Sequence, residues 1–204
     1  GVNGIMGAAR VVASAAGSTL VYQVGDSSSA TQLVWLDATG RELGEIGPPG
    51  QYDAPSLSPD GKRIAVQKVD ASTGMNDIWI VDLASGNSER VTFESGNEFG
   101  PVWSPDGMRI AYASNARGPY DILVKRVDGS SEAIPVVKTD DSSVWPAPQS
   151  WSAAGNLLVY TVEATSKGGL SVFAVSADGR GEPKLILDVP YREGAPRVSP
   201  DGRW

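Results

Sequence analysis

Short apolar and β-branched runs, each followed by a turn-forming cluster, recur along the whole chain and predict strands rather than long helices. One set reads Leu20-Val21-Tyr22, Arg63-Ile64-Ala65-Val66, Arg109-Ile110-Ala111-Tyr112 and Leu157-Leu158-Val159-Tyr160. A second set lies downstream of each: Leu33-Val34-Trp35-Leu36, Ile78-Trp79-Ile80-Val81, Ile122-Leu123-Val124 and Leu170 to Val175. Several of these runs are apolar at every position, as in strands buried on both faces. Each second run ends in a turn signal, at Asp37-Ala38-Thr39-Gly40, Ala84-Ser85-Gly86, Asp128-Gly129 and Asp178-Gly179. A further strand follows in Glu89 to Phe93, Ala133 to Val137 and Lys184 to Leu187, whereas Gly47-Pro48-Pro49-Gly50 and Gly168-Gly169 read as loops.

The apolar pattern is periodic. Ser-Pro-Asp-Gly stands at Ser58, Ser104 and Ser199, and degenerate forms stand at Ser14-Ala15-Ala16-Gly17 and Ser152-Ala153-Ala154-Gly155. Those five serines are 44, 46, 48 and 47 residues apart. In the motif, Pro presets φ for the first corner position, Asp suits the second, and Gly takes the positive φ that follows, so each copy predicts a hairpin corner. A repeat of this length with four short antiparallel strands defines one propeller blade. The expected fold is therefore all-β: a single β-propeller segment over 1–204 with about four blades, at 9–53, 54–98, 99–147 and 148–194. Residues 195–204 would open a further blade, and the segment reads as a fragment of a larger propeller. A solenoid is the alternative architecture, disfavoured because solenoid repeats are shorter or helical.

Composition narrows the chemistry. The chain has 204 residues, no Cys and no His, which excludes disulfides, Cys or His zinc ligands, Cys nucleophiles and Ser-His-Asp triads. Its net charge of −7, with no basic run, argues against nucleic acid as a partner. No apolar stretch is long enough for a membrane span, so membrane insertion of this segment is not expected, and the start Gly1-Val2-Asn3 lacks the features of a signal peptide.

Pro101-Val102-Trp103 followed by Ser-Pro-Asp-Gly, then Arg109-Ile110-Ala111-Tyr112, together with Asp77-Ile78-Trp79-Ile80-Val81-Asp82-Leu83-Ala84-Ser85-Gly86, resembles the TolB-like propeller repeat. A narrower resemblance is to the propellers of bacterial receptor-type serine/threonine kinases. It is carried by Leu33 to Asp37, Gly40 to Gly44, Gly47 to Gly50, and Tyr191-Arg192-Glu193-Gly194-Ala195-Pro196. Similar blades also precede the hydrolase domains of prolyl-oligopeptidase-like peptidases. The resemblance implies a ring of about six to eight blades. It also implies recognition of a protein, peptide or small ligand, catalysis housed in another domain, and a location outside the cytoplasm.

Segments just before each corner line a propeller's channel, and here they carry Asp53, Glu98, Trp145, Arg192 and Glu193. These are the expected ligand-binding residues, with Trp145 in a loop beside Pro146 and Pro148. Three converging carboxylates suit a basic partner segment or a hard cation such as Ca²⁺, although no cofactor is required. The leading expectation is a non-catalytic recognition module. A metal-dependent hydrolase or lactonase with a central cation, and an inert piece of a larger propeller, remain as alternatives. An open stack of blades exposes apolar ends, so two copies closing an eight-bladed ring is a further expectation.

Overall fold

The computed structural model describes residues 11–13, 19–24, 30–152, 154–164, 169–190 and 196–199. Among them the backbone forms sixteen strands in four antiparallel sheets, each a meander in chain order. The first blade comprises β1 (Val11–Ala13), β2 (Thr19–Val24), β3 (Thr31–Asp37) and β4 (Glu42–Gly50). The second comprises β5 (Tyr52–Leu57), β6 (Arg63–Val69), β7 (Asn76–Asp82) and β8 (Ser88–Arg90). The third comprises β9 (Glu98–Trp103), β10 (Arg109–Ser114), β11 (Asp121–Arg126) and β12 (Ile134–Val137). The fourth comprises β13 (Val144–Trp151), β14 (Leu157–Ala164), β15 (Leu170–Ser176) and β16 (Lys184–Val189). The first strand of each sheet is innermost, and β9 packs beside both β5 and β13.

The predicted all-β architecture with four four-stranded blades is what the chain forms. The phase of the repeat differs: divisions at 53/54, 98/99 and 147/148 fall inside β5, β9 and β13. The corner fixes the period of the repeat but not the point where one sheet hands over to the next. Two loop assignments are also replaced by strands. Gly47-Pro48-Pro49-Gly50 belongs to β4, and Trp145 with Pro146 and Pro148 belongs to β13. Both are edge strands of their sheets, where a proline needs no outward amide partner; Pro146 and Pro148 sit two apart, opposite Val162 and Tyr160.

The described corners have the predicted chemistry. At Ser58 the backbone amide donates to Arg63 O (2.8 Å) and the hydroxyl donates to Asp60 (2.6 Å), while Asp60 also accepts from the Lys62 amide (3.1 Å). Gly61 and Gly107 adopt φ of +68° and +67°, a region that other residues enter only with strain. The corner at Ser14 and the end of the one at Ser199 lie outside the described residues. Val198 nonetheless donates its amide to the Ser150 hydroxyl (3.1 Å), which sets 196–199 against β13 as the next innermost segment.

Apolar clusters fill the seams between blades. Val21, Leu33 and Ile46 meet Ile64, Val66 and Val81 in the first seam. Ile78 and Ile80 meet Trp103, Ile110 and Tyr112 in the second, and Ile122 and Val124 meet Trp151, Leu158 and Tyr160 in the third. Along β6 and β10, large residues face the preceding blade and small Ala65 and Ala111 face the following one. This large-against-small alternation lets flat sheets stack closely; each fully buried aliphatic side chain contributes about 1.5–3 kcal/mol.

A polar staple crosses the second and third seams. The Arg63 guanidinium lies 4.9 Å from the centroid of the Trp103 ring and donates to Gly107 O (2.9 Å), while Trp103 Nε1 donates back to Ser56 O (2.8 Å). Arg109 repeats the stack on Trp151 at 4.9 Å. Where the first residue of the second strand is not Arg, the following inner strand has no Trp. Thr19 corresponds to Leu57, and Leu157 to Val198.

Candidate functional site

Inner strands run toward the Ser-Pro-Asp-Gly corners, so the opposite, upper face gathers their first residues, the β6–β7 and β10–β11 loops, and the connections from each outer strand to the next inner one. Three asparagines brace this face across the second seam. Asn97 Oδ1 accepts from the Asn76 amide (3.0 Å), and Asn115 Oδ1 accepts from the Asn97 amide (2.7 Å).

The inner strands put different chemistry into one structural slot. Tyr52, Glu98 and Pro146 occupy it, paired with Lys68, Ser114 and Val162 of the adjoining second strands. β13 starts two residues earlier than β5 and β9 relative to that slot, so Trp145 stands on the rim. Its side chain is 52% exposed. Trp145 rests on Tyr120 of the β10–β11 loop with centroids 5.0 Å apart, and Tyr120 rests on Phe99 at 5.7 Å. The result is a graded aromatic ledge that leads from the rim down the inner strand.

Beneath the ledge lies a buried polar group that spans the second seam. Glu98 and Asp77 are both 0% exposed. Glu98 accepts from the Ser114 hydroxyl (2.9 Å) through Oε1. Asp77 Oδ1 accepts from Arg90 Nη2 (2.9 Å) and from the Thr92 hydroxyl (3.2 Å). Arg90 also binds Asp70 (3.1 Å), and Glu94 holds Lys125 (3.3 Å). Burial pushes the Glu98 carboxyl up to about 7, against the Ser114 hydrogen bond and reinforced by the charges of Glu94 and Asp77. Burial also raises Asp77, opposed by Arg90. Tyr112, whose hydroxyl approaches Glu94 (3.5 Å), is held neutral by desolvation and by the nearby carboxylates.

The five sequence-predicted residues are therefore placed differently. Trp145 is exposed on the rim. Glu98 is enclosed in the seam rather than open to a channel. Asp53 is half-buried on β5 and accepts the Ala54 amide (2.7 Å). Arg192 and Glu193 lie outside the described residues, so a meeting of Asp53, Glu98 and Glu193 stays a sequence expectation. Among the described residues no group of three or more acidic side chains is gathered to hold a metal ion. Sequence reasoning passed over Asp77, Arg90, Phe99 and Tyr120. A signal existed for Asp77, since the same acid opens β11 as Asp121, also buried and bound to the Thr139 amide (3.0 Å).

Four stacked four-stranded blades around inner strands, with an aromatic rim and no helix long and apolar enough to cross a membrane among the described residues, define a β-propeller segment. The chain belongs to the TolB β-propeller domain family, whose model matches residues 13–204. An uncharacterised protein of Agrobacterium fabrum is 39% identical over 157 residues, spanning 71% of this chain and 50% of that protein. Dipeptidyl-peptidase 5 of Porphyromonas gingivalis is 32% identical over 71 residues, spanning 33% of this chain and 10% of the peptidase. Among solved structures, a TolB candidate from Agrobacterium tumefaciens superposes with a TM-score of 0.67 at 25% identity, covering 84% of this chain and 62% of that one. The chain thus spans half the length of the Agrobacterium fabrum relative and a tenth of the peptidase.

Proposed function

We propose that this chain is a non-catalytic recognition module that takes a protein or peptide segment on its upper face. The observation that carries the reading is the Trp145–Tyr120–Phe99 ledge. An exposed tryptophan on an innermost strand, backed by two further rings, offers a large rigid contact at small entropic cost, which is how binding hot spots are built. The peptidase similarity reaches a tenth of that enzyme and brings no His or Cys nucleophile machinery to this chain, which has neither residue. Membership of the TolB family supports work outside the cytoplasm, and the Leu33–Asp37 and Tyr191–Pro196 segments support the finer reading of a receptor-kinase sensor. Pairing of two copies into an eight-bladed ring would cover the blade faces that a four-bladed segment leaves open.

Selection of displayed random linear peptides against the protein tests the first reading. Binders should be enriched, and Trp145→Ala combined with Tyr120→Ala should weaken them on the order of 30-fold or more, the scale of a hot-spot loss. Binders that ignore both substitutions, or none at all, would overturn it. Light scattering during size exclusion tests the pairing, with a defined dimer expected and a monomer refuting it.

A further inference from the structure

Two oxygens in the second seam lack any hydrogen-bond partner although both are buried: Asp77 Oδ2 and Glu98 Oε2. One residue before each, the Asn76 amide donates to Asn97 Oδ1 across the seam (3.0 Å), which sets the Asp77 and Glu98 carboxyls side by side at the start of β7 and the start of β9. Each carboxyl has its other oxygen already satisfied, Asp77 by Arg90 and Thr92, and Glu98 by Ser114. Two ionised acceptors could not face each other here, because neither could reach water and like charges repel in a low-dielectric site. One proton between them satisfies both orphans at once.

We infer that Asp77 and Glu98 form a single proton-holding site joining the second and third blades, in which Glu98 Oε2–H donates to Asp77 Oδ2. The proton resides on Glu98 because Asp77 already has a cation, Arg90, to stabilise its charge, whereas Glu98 has only a hydroxyl. The surrounding charges favour that assignment. Asp70 shares Arg90, Glu94 adds a negative charge that Lys125 only partly offsets, and Tyr112 and Tyr120 stay neutral. From the inner side, β5 and β6 bring Asp53 and Lys68; Lys68 lies over the Tyr52 and Trp79 rings. The β10–β11 side brings Asp121, which is bound to Arg117. This site is independent of whether the rim binds a peptide.

A proton held in the folded state and released on unfolding makes stability fall with rising pH. The folded value for Glu98 lies above the ordinary one, so its contribution is complete below about 4.5 and is lost progressively up to about 7. Over that window the folding equilibrium constant of the wild type, relative to Glu98→Gln, should drop on the order of a hundredfold. The glutamine amide keeps a donor for Asp77 Oδ2 and does not titrate, so its own stability should lack this descent.

Urea denaturation of both proteins at closely spaced pH values, in buffer with chelator and again with added Ca²⁺, makes the measurement. A wild-type descent that is absent in Glu98→Gln and indifferent to Ca²⁺ is expected. Parallel curves for the two proteins would overturn the site, and so would a descent abolished by Ca²⁺, which would make it a cation site. Should Glu98→Gln fail to fold, carboxyl ¹³C shifts of the wild type decide. One glutamate protonated at pH 6 is expected, and every glutamate ionised at that pH refutes the inference.

Discussion

Removing the guanidinium of Arg63 tests how the blades are fastened. In Arg63→Met the aliphatic stem stays, while the stack on Trp103 and the hydrogen bond to Gly107 O are lost. A cation over an aromatic face contributes about 0.5–1 kcal/mol. A charged donor to a carbonyl contributes about 1.5–3 kcal/mol when buried and about 1 kcal/mol at a half-buried position such as this one. Arg63 also faces Asp82 across the β6–β7 ladder, a half-exposed contact that adds about 0–1 kcal/mol. The sum is roughly 2 kcal/mol, or a melting temperature lower by ~4–8 °C for a domain of this size. Trp103→Leu removes the ring face and the Nε1 bond to Ser56 O, and should cost about 2–4 kcal/mol. The decisive quantity is the coupling in a double-mutant cycle measured by urea denaturation, which should be about 0.5–1 kcal/mol, since Arg63→Met leaves no cation for the loss of the ring face to affect. Strict additivity, within about 0.3 kcal/mol, would mean that the stack contributes nothing and that the Arg-with-Trp pattern has another cause.

Ala54 holds a φ of +46° where the third blade uses Gly100 at +60°. Ala54→Gly should therefore stabilise by up to ~1 kcal/mol in thermal melts, where an ordinary strand Ala→Gly change destabilises. Gly47 adopts φ +64° with Gly86 O 2.9 Å from where a Cβ would sit, so Gly47→Ala should cost about 2 kcal/mol or more by urea denaturation, with the loss confined to the first seam. Asp60 and Asp106 are held below the usual carboxylate range chiefly by the Ser58 and Ser104 hydroxyls. Their contribution is complete above the unfolded value of about 3.9 and disappears as pH falls further, so Ser104→Ala should flatten the acid limb of the stability curve below about pH 4. Trp145→Ala should leave the urea midpoint within about 1 kcal/mol of the wild type, because half of Trp145 is already exposed; a large loss would make that ring structural rather than available to a partner.

The blade architecture was legible because each local signal has one cause. Runs such as Ile64-Ala65-Val66 are apolar on both faces since sheets cover both sides, and Gly61 and Gly107 mark corners since most other residues adopt their φ only with strain. Edge strands were not legible. Glu42–Gly50 and Val144–Trp151 carry prolines that argue against a central strand, and only the sheet assembly reveals that one side of each is free. The candidate site was half legible. Trp145 and Glu98 were singled out by position along the repeat, but whether each is exposed or enclosed depends on contacts across blades. Glu98 is enclosed where its strand meets the start of β7, beside Asp77, 21 residues away on a different sheet. Pairing of Asp77 with Arg90 likewise closes a loop between β7 and the end of β8, which no periodicity announces.

In a repeat protein, a slot that the architecture fills in every blade can be filled by any residue of suitable volume, so chemistry confined to one copy is not explained by the fold. The slot shared by Tyr52, Glu98 and Pro146 makes the point. Tyr52 closes it by donating its hydroxyl to Pro48 O (2.8 Å), and Pro146 closes it with an apolar ring. Glu98 instead brings a carboxyl into a dry seam, where an apolar side chain of similar size would cost nothing in desolvation. The neighbouring slot shows the same departure, with Phe99 under Tyr120 where the second and fourth blades place Asp53 and Ala147. Both departures fall on one inner strand, at one end of it, beside the single rim tryptophan of the described blades.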